Sequence, residues 1–282
     1  MDAADGWFAG HSPDDEAALI DRIRNGRAPS PADWPQRAVE AGFTEDTSTY
    51  YEHLQALAVT ATEAAVQERE GAADQQLIHE VRAMDDAERV ANELAERVDE
   101  WAGSRGIETS GGIEGAETVA ATEPTDPDEE RLVGMAERVI DLATERDALR
   151  TSVERTAPAV APNLAALAGP VLAARLIALA GGLESLAKMP SGTVQVLGAE
   201  DALFAHLRGD APSPKHGVIY THEAVRGTRP KDRGSAARAL AGKLTIAARI
   251  DYYAGDRRPG LERDLADRID TIRARAEGEE ES

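Results

Sequence analysis

The chain has 282 residues, of which 42% are hydrophobic and only 4% aromatic, and it carries a formal net charge of −21. It contains no cysteine, which excludes disulfides, thiolate metal sites and thiol catalysis. The core must be built from Ala, Leu, Val and Ile, a set that favours packed helices over sheets.

No apolar run reaches the roughly 18–20 residues that span a bilayer. The opening MDAADGWFAG lacks the basic start and apolar stretch of a signal peptide. A cytoplasmic chain with no membrane partner is therefore expected. Its charge is unevenly spread. Residues 1–157 carry 14 basic and 36 acidic side chains, residues 158–258 carry 13 and 8, and residues 259–282 carry 4 and 8. The only lysines, Lys188, Lys215, Lys231 and Lys243, all lie in the middle block. Abundant acid, much alanine and arginine far above lysine match a halophilic protein, soluble where the Debye length is about 3 Å or less, with an ordinary acidic protein as the alternative. Positive charge retained in such a chain points to an anionic partner.

In chain order, residues 1–72 read as a small N-terminal domain, α/β or α. Six of the eleven aromatics, Trp7, Phe8, Trp34, Phe43, Tyr50 and Tyr51, lie here. Helices are expected at 16–25 and 49–69, with Pro29, Pro31 and Pro35 breaking the chain between them. About 70 residues is marginal for independent folding. Residues 73–157 read as a coiled-coil hairpin. Leu77, Val81, Met84, Ala87, Val90, Leu94, Val98 and Trp101 form one apolar stripe. Leu132, Met135, Val139, Leu142, Leu149 and Val153 form the other, interrupted at Arg146. The Gly-, Thr- and Pro-rich stretch 103–127 between them reads as a flexible tip. Two ordinary bundle helices are the alternative.

Residues 158–258 change character. The run from Ala159 to Pro190 is small and apolar nearly all round, as in a helix buried on most sides. Pro162 reads as a breaker, Asn163 as an N-cap, and Gly169–Pro170 as a kink or split. Residues 193–197 have β-like composition, but their helical surroundings favour a helix. Residues 235–253 read as a helix, and residues 259–282 as an amphipathic helix ending in an acidic tail.

The sequence has no phosphate-binding G-x-x-x-x-G-K-[ST] loop, no G-x-G-x-x-G, no H-E-x-x-H and no nucleophile elbow. No metal site, cofactor or enzymatic activity is expected. What remains is a block from His206 to Arg249 with nine basic residues against three acidic ones. Within it, Lys215, Arg233, Arg238 and Lys243 are suited to phosphate, while Tyr220, Thr221 and His222 are candidates for stacking or base-edge contacts. A protein-docking patch on a coiled-coil adaptor, or a solvated loop, is the other reading of the same residues.

Three segments, APNLAALAGPVLAARLIALAGGLESLAKMPSGTVQVLGAEDALFAHL, PKHGVIYTHEAV and ARALAGKLTIAARIDYYAGD, resemble the Nop domain in uninterrupted order. DQQLIHEVRAMDDAERVANELAERVDEW resembles the first coiled-coil helix of the same family, and the archaeal form fits best. The resemblance implies a mainly α protein in which an antiparallel coiled-coil hairpin precedes an all-helical Nop domain. It further implies a non-catalytic scaffold of a box C/D guide ribonucleoprotein that directs 2′-O-methylation of ribosomal and transfer RNA. The expected partners are box C/D guide RNA with its kink-turn, the ribosomal-type protein that binds that turn, and a fibrillarin methyltransferase carrying S-adenosylmethionine. A second copy would pair through the coiled coil at Leu132, Val139, Leu142 and Leu149.

Carried over by position, the resemblance implies that Arg233, Arg238, Lys243, Thr221 and His222 face RNA beside Lys215 of the basic block, and that Gly198, Ala199 and Glu200 lie on the shared protein–RNA surface. Asp201 stands where the family usually has lysine, and Thr221 where histidine is frequent. The N-terminal domain is shorter than usual.

Overall fold

The computed structural model describes residues 6–28 and 30–278, and every regular element among them is helical. Pro29 and the acidic end of the tail, 279–282, lie outside the described residues. The chain divides into two units, residues 1–72 and 73–282.

The first unit contains α1 (Glu16–Asn25), α2 (Trp34–Glu40) and α3 (Thr47–Glu70). Of the two expected classes, α/β or α, the described residues take the second. Phe8, Leu19, Ala38, Phe43, Tyr50 and Leu57 form its core. The Trp7 indole N–H donates to the Tyr50 hydroxyl at 3.0 Å, so this half-buried ring packs on the core with its polar group satisfied. Pro35 does not break the chain: it sits in the first turn of α2, where its missing N–H costs nothing, behind the Asp33 cap.

In the second unit, α4 (Ala73–Ser104) and α6 (Pro127–Val160) run as a long hairpin. The seam differs from the expected stripe. Past Met84, α4 buries Ala87, Ala91, Ala95, Val98 and Ala102, while Val90, Leu94 and Trp101 sit at its border. Small residues in the seam let the two backbones approach closely.

The expected flexible tip is ordered. α5 (Gly112–Ala120) folds onto both long helices, and Ala116 and Val119 join Leu132, Ala136, Val139, Ala95, Val98 and Ala102 in a closed core. Arg105 ties Asp126 and Glu129, and Asp126 caps α6 by accepting from the N–H groups of Asp128 and Glu129 at 2.9 Å. Glycine and threonine content marked a turn here, while Ile113, Ala116 and Val119 supply a helical apolar face.

Leu132 and Val139 are 1% and 0% exposed within a single chain, so they close the hairpin rather than pair two copies. Leu142 is half-buried, and Leu149 packs against the larger core of this unit.

That larger core gathers α7 (Pro162–Ala168), α9 (Leu183–Lys188) and α10 (Ser191–Val196) around the central α13 (Arg233–Tyr253), while α8 (Pro170–Ala180) packs on α4, α6, α7 and α9. α11 (Glu200–Leu207) and α12 (Glu223–Arg226) lie in the connection from α10 to α13, and α14 (Gly260–Gly278) packs on α13. Gly169, with φ +80°, splits α7 from α8 at a bend of 117°. Residues 193–197 lie mainly within α10, as their surroundings favoured.

The core does not stop at 158 or 258. Leu77, Ile78, Val81 and Met84 of α4, Val153 and Ala157 of α6, and Leu265, Ile269 and Ile272 of α14 are all part of it. Among the described residues no single helix is long and apolar enough to cross a membrane.

Asn163 does not cap α7. It is fully buried inside the first turn, and the cap comes from α13: the Asp251 carboxylate accepts from the N–H groups of Asn163 and Leu164 at 3.0 and 2.8 Å. The Asn163 side chain donates to Asp251 Oδ1 at 2.6 Å and to the Asp256 carbonyl at 2.8 Å, and it accepts from the Arg258 N–H at 2.6 Å. This latch joins α7, the end of α13 and the loop that leads to α14.

Candidate nucleic-acid interface

The connection between α11 and α12 returns to the end of α10 and is zipped to it. Gly217 N–H donates to the Gln195 carbonyl at 2.9 Å, Val218 N–H to the Leu197 carbonyl at 2.8 Å, and Gln195 Nε2 to the Lys215 carbonyl at 2.7 Å. Only glycine permits this approach, because a Cβ at position 217 would lie 2.0 Å from the Leu197 carbonyl oxygen. On the other side of the zipper, Gly198 turns with φ +82° and donates its N–H to Glu200 Oε1 at 2.8 Å. Gly198, Ala199 and Glu200 thus form one turn that opens α11. No side chain of α11 is buried, and its Phe204 and Leu207 are 59% and 70% exposed.

Past the zipper, the 3₁₀ turn Val218–Thr221 buries Ile219 in the core. The ring of Tyr220 stacks on His216, with centroids 4.7 Å apart and planes 24° from parallel. Arg233, the first residue of α13, brings its guanidinium carbon to 5.4 Å from the Tyr220 centroid. Its Nε donates to the Thr228 carbonyl at 3.0 Å and its Nη2 to the Arg226 carbonyl at 3.5 Å. These carbonyls orient the cation without neutralising it.

Arg233 forms no ion pair among the described residues, and neither do the exposed Lys215 and Arg238. Arg24, Arg89, Arg97, Arg105, Arg138 and Arg175 each meet a carboxylate. What distinguishes Lys215, Arg233 and Arg238 is their place, at the zipped loop and the first turns of α13. Burial, followed by the charges of Arg233 and Lys215, holds the His216 imidazole below the usual histidine range.

Two expected contacts have other tasks. Both nitrogens of His222 are engaged: Nδ1 accepts from the Ala224 N–H at 3.1 Å and Nε2 lies 2.9 Å from the Leu167 carbonyl, so Nε2 carries the proton. Burial pushes its pKa down. His222 is therefore the N-cap of α12 and offers no free edge to a base. Lys243 donates to Asp264 of α14 at 2.6 Å, so it faces the C-terminal helix while Arg238 faces solvent. Thr221 is exposed, with its hydroxyl donating to the Val218 carbonyl at 3.0 Å.

The structure thus brings together Lys215, Arg233, Tyr220 and the Gly198–Glu200 turn, with Thr221 at the rim. It adds His216, which sequence reasoning passed over because a loop gives no periodicity from which to infer a stack. Among the described residues no cluster of His, Asp and Glu is placed to hold a metal ion.

Residues 76–272 match the family model described as Nop, snoRNA binding domain, fibrillarin. A NOP5 family protein of Methanocaldococcus jannaschii is 48% identical over 160 residues, covering 57% of this chain and 39% of that protein. Nucleolar protein 58 of Debaryomyces hansenii is 44% identical over 142 residues, covering 50% of this chain and 28% of that protein. Nucleolar protein 58 of Yarrowia lipolytica is 34% identical over 221 residues, covering 65% and 43%. The chain thus spans less than half the length of these relatives. A chain in a crystal structure of a fibrillarin/Nop5p complex has the same fold, with a TM-score of 0.55 and 24% identity over 90% of this chain and 92% of that one. With a family model matched over well more than half of its length, the chain belongs to the Nop family.

Proposed function

We propose that this chain is a non-catalytic scaffold of a box C/D guide ribonucleoprotein. Its zipped loop and the start of α13 bind kink-turn RNA together with the ribosomal-type protein that recognises the turn. Other surfaces place fibrillarin, with its S-adenosylmethionine, for guide-directed 2′-O-methylation. The observation that carries the reading is the set of cations without carboxylate partners among the described residues, Lys215, Arg233 and Arg238, at the zipped loop and the first turns of α13 of a Nop-family body.

α11 supports the composite nature of the surface. Phe204 and Leu207 lie exposed on the helix that the Gly198–Glu200 turn opens, an apolar surface suited to a companion protein beside the RNA. Any pairing of two copies uses residues other than Leu132 and Val139, which are consumed within the hairpin.

The test is a gel shift in concentrated salt with a kink-turn RNA, with and without the kink-turn protein. A shift that strengthens when the companion protein is present is expected. No shift with either, combined with capture of the companion protein alone, would move the reading to a protein-only adaptor.

A further inference from the structure

We propose that His216 is the positioning residue of a two-cation phosphate clamp made by Arg233 and Lys215. The proposal rests on the RNA-binding reading above and assigns a task to a residue outside the cations themselves.

Arg233 has five N–H donors. Two are spent on the Thr228 and Arg226 carbonyls, which leaves the outer edge of the fork for a ligand. A fork of that geometry pairs with phosphate oxygens, and its value depends on its orientation. Two backbone carbonyls alone hold one edge and leave the plane free to tilt. The Tyr220 ring at 5.4 Å limits that tilt. Tyr220 is in turn held by the stacked His216 ring at 4.7 Å.

His216 is fixed by its neighbours in sequence. The Lys215 carbonyl before it and the Gly217 N–H after it are both bonded to Gln195, at 2.7 and 2.9 Å. The same anchoring sends the Lys215 stem across the first turn of α13, where its carbons lie 3.8–3.9 Å from the position a Cβ on Gly234 would occupy. The ring of His216 therefore sets one cation and its backbone sets the other. Burial among these groups favours the neutral imidazole, so the stack adds no third positive charge to the clamp.

The chemical class of ligand is a backbone phosphate, bound without reference to the base. No base is read because the Tyr220 ring is already stacked and both His222 nitrogens are occupied.

The experiment compares wild type, Arg233→Gln, His216→Ala and His216→Phe in binding a kink-turn RNA across a potassium chloride series. In parallel, exchange of the Arg233 Nε–H is followed by NMR in the free protein. Arg233→Gln is expected to weaken binding about tenfold and to lower the salt slope by about one. His216→Ala should weaken binding by a similar factor and lower the slope although it removes no charge. It should also speed exchange of the Arg233 Nε–H. His216→Phe keeps a stacking ring and should restore affinity, slope and protection.

Wild-type affinity and slope in His216→Ala, or a His216→Phe variant as weak as His216→Ala, overturns the proposal. Unchanged Nε–H exchange in His216→Ala overturns it as well, whatever the RNA result. If wild type binds no RNA, the functional reading and the phosphate clamp fall together, while the exchange measurement still decides whether His216 positions Arg233.

Discussion

Replacing Gly217 by alanine should dismantle the zipped loop while leaving the rest of the second unit folded. The new Cβ would meet the Leu197 carbonyl oxygen at 2.0 Å and the Leu197 and Val196 carbonyl carbons at 2.7 Å. All three are backbone atoms, so no rotamer change relieves the clash, and the two segments must part by about 1 Å or more to reach ordinary contact distances. Separation breaks the Gly217–Gln195 and Val218–Leu197 bonds and pulls on the Gln195–Lys215 bond. At about 0.5–1.5 kcal/mol net for each bond, the cost is about 2–4 kcal/mol. That cost is local, because Ile219 is the one residue of the 217–221 segment buried in the core. The assay is urea unfolding followed by circular dichroism, with RNA affinity measured on the same sample. The expected result is a lowered midpoint, retained helicity and at least a tenfold loss of RNA affinity. Wild-type affinity in a Gly217→Ala protein that has lost stability would refute the link between the zipper and the interface. Wild-type stability would refute the close approach itself.

The buried latch gives a pH-dependent test. Asn163→Asp puts a carboxylate against Asp251 Oδ1, 2.6 Å from the present amide nitrogen, and should cost about 3–5 kcal/mol at neutral pH. Two carboxylates in contact raise one folded-state pKa above its unfolded value, so the variant should regain stability as pH falls and lose it as pH rises, read from thermal melts across pH. A deficit that does not change with pH counts against it. The hairpin tip should show the opposite sign. The Glu129 N–H leads the contacts that hold the Asp126 carboxyl below the usual carboxylate range, and the Thr125 N–H leads those that lower Glu129. Their contribution is present above the unfolded values and lost as pH falls through the folded ones, so Asp126→Asn should differ from wild type at neutral pH and begin to converge with it only as pH falls below about 4. Hydrogen exchange of the α6 N-terminus measures this, and a difference that persists in acid would contradict it. Arg238→Ala should weaken RNA binding even in concentrated salt, where counterion release drives little of the affinity. An effect confined to low salt, seen in a filter-binding series, would show that Arg238 acts only through long-range attraction.

Much of this architecture can be read from sequence periodicity. The long helices follow from stripes spaced by three and four, and the near-uniform apolar character of residues 159–190 is that of helices enclosed by others. Local composition misled at three places, each time because a tertiary partner decided the outcome. Residues 103–127 look like a loose turn until Ala116 and Val119 find Val98 and Leu132. Asn163 looks like a cap until Asp251, 88 residues away, takes that place. Pro35 looks like a breaker until Asp33 starts a helix over it. At the interface the cationic residues were legible because an acidic chain makes them conspicuous. Their division of labour was not. Lys243 and Arg238 are five positions apart on one helix, and only the presence of α14 shows that one of them is neutralised. His216 and Tyr220 sit in an irregular segment where four positions of separation carry no geometric meaning.

The two cores of the second unit share the helices of the hairpin. α4 enters the larger core at Leu77 and ends, at the last of its 32 residues, beneath the cap formed by α5, while α6 makes the return journey. Neither helix is interrupted between the two, so the hairpin acts as a ruler about 48 Å in span, clamped at both ends. Whatever engages the tip is held at a preset distance from whatever engages the start of α13, and inserting or deleting seven residues in the middle of both α4 and α6 would change that distance by about 10 Å while keeping the seam in register.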